Sequence, residues 1–500
     1  MKRTLKYLLT LSLIAMLGIS VVYALDEPST AMLAVGNQFY NGTLQMEEFV
    51  YDIDNGLVVS ATAQAPVQSG YLFNPFADLA MDEDSNLHRA VIGAYFTNLT
   101  MHALGPGEYG GVNCYKGEYY ENTRIFCPYV VNTDEDETNI DIMNKGNSAA
   151  QVSVTYYNEG GVAVGAWIAP AELQPGETIR PDVASELPQT TASAVISATE
   201  PLVASVEIFG DNQSMVYAGV SVMDSYLYVP KLNDGQDDGW ESTTWVQNAE
   251  EEAQDVLMEF YSPSGNFVQS ETVQIAPGGV FGFETPVGAS CAYIRGQDDV
   301  AAVVVSAGDS SYYAYKTRGV SWLPLIPLVM KNADGWNTSI TIQNPDSAEC
   351  EAYWRYTDQT GAQVGSDSAS VIIPPDGAYT FNLAEDQTLS NTQTFMGAVK
   401  IFAYEYQNPI NYKNGAYTIY APIAVVHEKD GKKAAVSVGP YMGGAKDFSQ
   451  EQYWGSLYGF PLIYQYAYDA EEEEEDPLPA YADHNWMFGP FFCFVDSLKD

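Results

Sequence analysis

The stretch that decides the fold, GWESTTWVQNAEEEAQDVLMEFYSPSG, runs from Gly239 to Gly265. The chain repeats this stretch, since Asn248 and Gly265 recur 96 positions later as Asn344 and Gly361. Both landmarks also recur 104 positions upstream. Because two landmarks shift together in both directions, the sequence predicts copies of one module of about 100 residues rather than a chance similarity.

The strand that follows each repeated Asn indicates the structural class. It carries apolar residues at every second position, which gives one buried and one solvated face, as in an antiparallel β-strand. Turn residues about every 8–12 positions then divide each copy into about seven short strands. We therefore predict an all-β chain of tandem immunoglobulin-like β-sandwich repeats, with a barrel as the alternative architecture. The alternating apolar positions are Val152, Val154 and Tyr156 in copy one, Val256, Met258 and Phe260 in copy two, and Ala352, Trp354 and Tyr356 in copy three.

The N-terminal residues carry the features of a secretory signal peptide. Lys2, Arg3 and Lys6 form a basic start, and a largely apolar stretch follows. Small side chains at Val22 and Ala24 then fit a cleavage site. An uncleaved membrane anchor is the alternative, but no later stretch is long and apolar enough to span a bilayer. We therefore expect a secreted or cell-surface protein.

The repeats and the segments around them divide the chain into six parts. The last part is irregular: residues 459–463 resemble the Pro-bearing lead into a further copy that does not follow, and an unbroken acidic run occupies residues 471–476. Such a run is solvated by default. The predicted parts are the signal peptide 1–24, a divergent β-sandwich domain 25–127, repeat one 128–224, repeat two 225–321, repeat three 322–440, and an acidic linker with an apolar C-terminal peptide 441–500.

The charge of the chain limits the partners that it can bind. There are 65 acidic residues against 21 basic ones, and the formal net charge is −44. Such a field repels DNA, RNA and anionic lipid, so nucleic acid is excluded as a partner. The same field attracts cations.

Short motifs at the start of the copies resemble the tandem β-sandwich repeats of bacterial secreted and cell-surface proteins. The resemblance spans residues 128–440, although copy one lacks the Gly-Trp. It implies an extracellular structural or adhesive role without defining a ligand. The motifs are Leu323-Pro324, Gly335-Trp336, Gln343-Asn344, and Tyr156-Tyr157 with Gly161.

Acidic residues cluster in the turn near the start of each copy. Clustered oxygen ligands on a turn are what a hard cation needs, so calcium is the cofactor that this pattern favours. Asp is also an ordinary turn former, and plain turns remain the alternative. The candidate ligands are Asp134, Asp136, Asp234, Asp237, Asp238 and Asp334.

Two further aromatic segments are candidate binding surfaces. Repeat three carries an insertion between Ala398 and Pro422, and aromatic rings in such an insertion can stack on sugars or peptides. The alternative is an extended hairpin whose tyrosines contact their neighbours. The candidate ligand-binding residues are Tyr404, Tyr406, Tyr412, Tyr417 and Tyr420.

The second segment is the apolar C-terminal peptide. It either packs on its own last domain or docks on a neighbouring subunit as an added strand. The candidate assembly residues are Trp486, Phe488, Phe491, Phe492 and Phe494.

Cysteine and histidine usage gives no sign of catalysis. Cys114 and Cys127 are close enough in sequence to form a disulfide across one hairpin. The four His residues form no metal-binding motif, and no Gly-x-Ser-x-Gly elbow occurs. We therefore expect a structural or adhesive protein rather than an enzyme, with itself or other surface components as partners, in a filament or a surface layer. An array of carbohydrate-binding modules that uses the repeat-three tyrosines is the alternative.

Overall fold

The structure is a computed structural model that describes most of the chain between residues 122 and 438 and several flanking strands. The continuously described ranges are 122–210, 213–236, 239–308, 311–317, 324–358, 362–405 and 421–438. Within the described residues, no helix is long and apolar enough to cross a membrane.

The chain is all-β, as predicted, and its strands fall into four modules. The N-terminal module contains β1 (Met32–Asn37), β2 (Gly42–Asp52), β3 (Gly56–Val67), β4 (Tyr71–Phe73), β5 (Leu87–Ala94), β6 (Leu99–Pro106) and β7 (Val112–Lys116). Module 1 contains β8 (Asn122–Asn132), β9 (Asp136–Asn144), β10 (Val152–Tyr157), β11 (Ala163–Ile168), β12 (Thr178–Ile179), the helix α1 (Val183–Glu186), β13 (Thr190–Gly210) and β14 (Gln213–Ala218).

Modules 2 and 3 repeat this order. Module 2 contains β15 (Asp224–Val229), β16 (Glu241–Asn248), β17 (Gln254–Tyr261), β18 (Phe267–Ile275), β19 (Val280–Glu284), β20 (Cys291–Ala307) and β21 (Tyr312–Lys316). Module 3 contains β22 (Leu325–Lys331), β23 (Asn337–Gln343), β24 (Cys350–Asp358), β25 (Gln363–Val364), β26 (Val371–Ile373), β27 (Ala378–Asn382), a 3-10 turn (Gln387–Leu389), β28 (Phe395–Glu405), β29 (Ile423–Lys429) and β30 (Lys432–Val438). The last described strand is β31 (Ser456–Tyr464).

Each repeat is built around one long strand that serves two sheets. The first half of β13 pairs with β10 and β8, and its second half pairs with β9 and β14. β20 does the same in module 2. In module 3 the insertion divides this strand into β28 and β29, which lie in separate sheets. We call the sheet β11-β10-β13-β8 and its equivalents sheet a, and the sheet β12-β9-β13-β14 and its equivalents sheet b. The immunoglobulin-like subclass stays a prediction, because here both sheets share a strand.

The two sheets differ in how their side chains are buried. Strands β10 and β17 of sheet a alternate between buried and more accessible residues, which confirms the predicted alternation. The sheet b strands β14 and β21 are buried at nearly every position. Both faces of sheet b are covered because Val303 and Ala314 of module 2 belong to the hydrophobic cluster of module 1, whereas Val304 and Tyr315 belong to that of module 2. Sheet b therefore lies between two cores and joins them.

The four modules close into a ring around their final strands. β14 contacts β7 and β21, and β30 contacts β21 and β7. The four strands leave a cavity of about 10 Å³ at the axis, which is roughly the space of one water molecule. Its lining includes Cys114, Tyr217, Tyr315 and Val436.

The ring is completed by a strand from the far end of the chain. The N-terminal module has the same two sheets as the repeats, in the orders β3-β2-β5-β31 and β4-β1-β6-β7. β31 therefore takes the place that β8, β15 and β22 hold in modules 1, 2 and 3. The segment at residues 459–463 is thus not the lead into a missing copy, because it supplies the first strand of the N-terminal module.

The structure also corrects the expected disulfide, because Cys114 and Cys127 are both free, buried thiols. Although they are near each other in sequence, Cys114 lies on β7 at the axis of the ring and Cys127 lies on β8 in the core of module 1. Burial raises the pKa of Cys127 to about 12, so the thiol stays protonated. Cys291 and Cys350 are free and buried as well.

The repeated Asn fastens the two turns at the same end of each module. The Asn248 side-chain amide donates to the carbonyl oxygens of Glu252 at 2.7 Å and Ile275 at 3.0 Å. Its side-chain oxygen accepts from the backbone N–H of Glu250 at 2.9 Å. Asn144 and Asn344 make the same three kinds of bond. All three Asn residues are fully buried, which explains why this residue is repeated.

Replacing Asn248 with Ala should lower the free energy of unfolding by about 2–4 kcal/mol, because buried backbone groups of two turns lose their partner. Urea unfolding followed by tryptophan fluorescence would measure the loss. Asn266→Ala is the matched control, since Asn266 is exposed and its side chain bonds only locally to Ser264. The control should stay within about 0.5 kcal/mol of the wild type. Equal stability of Asn248→Ala and the control would contradict this account of the repeat.

His427 makes the stability of module 3 depend on pH. It is completely buried on β29, its Nδ1 lies 3.0 Å from the Thr338 hydroxyl, and burial lowers its pKa from 6.5 to about 3. The folded state therefore holds this ring neutral, whereas the unfolded state protonates it below pH 6.5. The stability is complete above pH 6.5 and is lost as the pH falls towards 3.

The difference in unfolding free energy between the wild type and His427→Gln should therefore change with pH. From pH 7 to pH 4 we expect the wild type to lose about 3 kcal/mol relative to the variant, since one pKa unit corresponds to about 1.4 kcal/mol. Denaturant unfolding of both proteins across this range would measure the difference, which cancels the contribution of the many carboxylates. Parallel pH profiles would show that His427 does not titrate in this way.

Candidate functional site

The outer face of sheet a in module 3 carries three stacked aromatic rings, which we call the aromatic platform: Tyr353, Phe402 and Tyr404. The rings of Tyr353 and Phe402 are 4.8 Å apart and inclined by only 9°. Tyr404 also stacks on Tyr353, with ring centres 6.0 Å apart and an angle of 24°. All three side chains are half-buried, so part of each ring faces solvent.

Two cations border the platform. The guanidinium of Arg355 lies 5.4 Å from the centre of the Phe402 ring, and the Lys400 ammonium lies 5.7 Å from the same centre. Arg355 also forms a two-point ion pair with Asp367, at 2.7 and 2.8 Å. These contacts hold the cations beside the rings rather than free in solvent, and both cation–π pairs stabilise the position of Phe402.

The ionisation of these groups follows from their contacts. The hydrogen bond from Arg355 lowers the pKa of Asp367, and the same bond raises the pKa of Arg355. Burial lowers the pKa of Lys400, and the charge of Arg355 adds to this effect. Burial raises the pKa of Tyr353, with a further contribution from its hydrogen bond to Tyr404. At neutral pH the platform is therefore an apolar strip that carries the neutral phenol of Tyr353 beside a paired cation.

Strand register places these side chains on one face. Tyr353 pairs with Phe402 and Arg355 pairs with Lys400 across β24 and β28, so these four side chains project from the same side of the sheet. The inner side carries Trp354 and packs into the core. Module 1 has small polar residues at the equivalent outer positions of β10, namely Ser153 and Thr155. Module 2 carries a different group of aromatic rings on this face, in which Tyr228 and Tyr261 contact Tyr293.

The comparison of the repeats within the sequence identified Tyr404 as a candidate binding residue but missed Tyr353 and Phe402. The signal for Tyr353 was present in the copies themselves, since the solvated face of this strand changes from Ser153 in copy one to Tyr353 in copy three. Phe402 shows no such signal, because its position is reached only through the pairing of β28 with β24. The other tyrosines of the insertion lie outside the described residues: Tyr406, Tyr412, Tyr417 and Tyr420.

The structure does not bring the acidic turn residues together. Asp134 accepts a hydrogen bond from the Gln189 amide, and Asp136 accepts one from the Tyr312 hydroxyl at 2.9 Å. Asp134 lies in the turn between β8 and β9 of module 1, and Asp136 is the first residue of β9.

The equivalent turns of modules 2 and 3 use their Asp residues in other bonds. Asp234 accepts from the backbone N–H of Gly288 at 2.7 Å, which lowers the pKa of this carboxyl group. Asp334 pairs with Lys429 at 2.9 Å. Asp237 and Asp238 lie outside the described residues. In the part of the chain that the structure describes, no three His, Cys, Asp or Glu side chains group as metal ligands would.

The apolar C-terminal peptide lies beyond the last described strand. Its candidate assembly residues therefore remain predictions: Trp486, Phe488, Phe491, Phe492 and Phe494. The strand from this end of the chain that does dock is β31, and it docks on its own chain.

Comparison with known proteins adds little to this description. No protein-family model matches the chain, and no curated protein matches it. Among solved structures, a partial N-terminal region of an enterococcal surface protein is similar at 8% identity and a TM-score of 0.16, over 68% of this chain and 88% of that one.

Two further solved structures are similar over smaller parts of their own lengths. A family 2 glycoside hydrolase β-glucuronidase is 12% identical with a TM-score of 0.13, over 60% of this chain and 31% of that one. The E. coli alpha-2-macroglobulin is 9% identical with a TM-score of 0.12, over 82% of this chain and 28% of that one.

Proposed function

We propose that this protein is an exported structural or adhesive component of a cell surface or extracellular assembly, and that it acts through shape and binding rather than catalysis. The observation that carries this proposal is the ring of four modules that closes on itself. Sheet b strands covered on both faces join the cores of successive modules, so the ring is built as one stiff unit. Stiffness and reach are what a structural surface component needs.

Charge and position in the chain support the same role. A net charge of −44 keeps such rings apart in solution unless cations or a specific contact bridge them. β1 and β31 are both in the N-terminal module, so this module connects the ring to the segments that precede and follow it. Modules 1, 2 and 3 would then present the rest of the ring to other surface components or to further copies of this chain.

Cellular location and particle shape test this function. Treatment of intact source cells with proteinase K should degrade the protein while a cytosolic marker survives, and electron microscopy of the purified chain should show four-lobed rings. Recording the images with and without calcium would also test the acidic turns. A protein found only inside intact cells would contradict the proposed function, whatever the shape of the particle.

Carbohydrate binding is a second candidate function, and the aromatic platform favours it. Sugars present apolar faces that stack on aromatic rings, and flanking charged groups can hydrogen-bond their hydroxyls. Tyr353 and Phe402 stack on each other and form one rigid apolar strip, and Arg355 with Asp367 supplies donors and acceptors beside it. Tyr404 leads from this strip directly into the tyrosine-rich insertion.

A glycan array followed by calorimetry on the best-bound oligosaccharide would test the platform. Replacing Phe402 with Ala should weaken binding about tenfold, equivalent to about 1.4 kcal/mol, because one of the stacked rings of the platform is lost. Phe267→Ala in module 2 is the matched control, since Phe267 is 57% exposed and lies outside the platform. Unchanged affinity in Phe402→Ala, or an equal loss in the control, would remove the platform as the binding site.

A further inference from the structure

The joint between the N-terminal module and module 1 differs from the other joints that the structure describes. Module 2 presents Trp245, Val303 and Val305 to the core of module 1, and the ring of Trp245 stacks on Tyr129 at 4.8 Å. Module 3 likewise presents small apolar residues to the core of module 2: Ala424, Val426 and Ala435. These joints are apolar, and opening them would expose hydrophobic surface to water.

Module 1 has polar side chains at the same positions. Asp141 stands where module 2 has Trp245, Ser205 stands where it has Val303, and Glu207 stands where it has Val305. All three are at most 3% exposed. Asp141 pairs with Arg180 through bonds of 2.8 and 3.2 Å. A buried ion pair adds little net stability, since its charges regain solvation when they are exposed. This polar face therefore costs less to open than the two apolar joints.

β31 lies at this joint, and it is far in sequence from the other strands of its module. β31 contacts β9 and β13 of module 1 in addition to β5 and β6 of the N-terminal module. Among the described strands it is the edge strand of its sheet and pairs with β5 alone, with a register shift between Phe460 and Ile463. Residues 439–455 connect it to β30. An edge strand held by one neighbour is the element of a sheet that most readily changes partner.

We propose that β31 can leave its own N-terminal module and pair with β5 of a second copy, so that molecules of this protein link by strand exchange. The exchanged strand makes the same backbone hydrogen bonds in either arrangement, so the two states differ mainly in the entropy of association. Because β31 is covalently connected to its own module, pairing within the chain is favoured over pairing with a second copy in dilute solution. When many copies are concentrated at a surface, the closed ring loses this advantage over the exchanged dimer. The inference deepens the assembly role proposed above and rests on it only for the biological setting.

Cysteine crosslinking between two full-length variants would detect the exchange. Ile92 of β5 and Tyr458 of β31 are direct Cα partners, and opposed residues of antiparallel strands are close enough for a disulfide. One variant carries Ile92→Cys and the other carries Tyr458→Cys, both with Cys493→Ser. A single chain with both substitutions reports the closed ring. A mixture of Tyr458→Cys with Val162→Cys is the collision control, since Val162 is 61% exposed on module 1.

We expect the mixed Ile92→Cys and Tyr458→Cys variants to give a disulfide-linked dimer whose yield rises with protein concentration and exceeds that of the collision control at least tenfold. Peptide mapping should place the bond between the two introduced cysteines. If the double variant crosslinks within its own chain while the mixture gives no dimer above the control, β31 does not exchange and the proposal is wrong. Failure of the double variant to crosslink would overturn it as well, because β31 would then not pair with β5. Neither result depends on where the protein resides in the cell.

Discussion

The buried Asn at the end of the second strand of each repeat, or directly after it in module 3, is the constraint on which the rest of the structure depends. Its amide and carbonyl satisfy backbone groups of two turns at once, and no apolar side chain can do this. These turns fix where the next strand of sheet a begins and where the short strand of sheet b pairs. Once both are fixed, the long shared strand can lie between the two sheets. The position is therefore retained in all three repeats, although their other loops differ.

The way that successive modules share sheet b explains the unusual composition of its strands. A strand with apolar contacts on both faces cannot alternate, so it has continuous runs of small and branched apolar residues. Val300 to Val305 is such a run, whereas strand β17 of sheet a alternates. A small side chain such as Ala301, which packs with Phe126 and Val195 of module 1, lets the neighbouring modules approach closely. One composition thus serves both the interior of a module and the contact between modules.

Much of this architecture could be predicted from the sequence. The repeat length, the alternating strands and the turns came directly from Asn248, Asn344 and the apolar positions that follow them. The ring could not be predicted, because repeat spacing is the same in an open row of modules and in a closed one. Residues 459–463 carried the missing information, but only their pairing with β5 shows that they belong to the first module. The prediction of a Cys114–Cys127 disulfide was wrong, because residues that are near in sequence can lie in different modules. Of the aromatic platform, only Tyr404 was identified, because the other two rings meet through strand pairing.

Because β31 completes the N-terminal module, the modules form a closed circle. The order of modules along the chain therefore depends only on which link between two modules holds the chain ends. The connection from β30 to β31 links a final strand to a first strand, which is the same kind of link that joins β14 to β15 in sequence. A gene that began at any other such link would encode the same ring with its free ends on a different module. Evolution could therefore move the point of attachment around the circle without redesigning any interface.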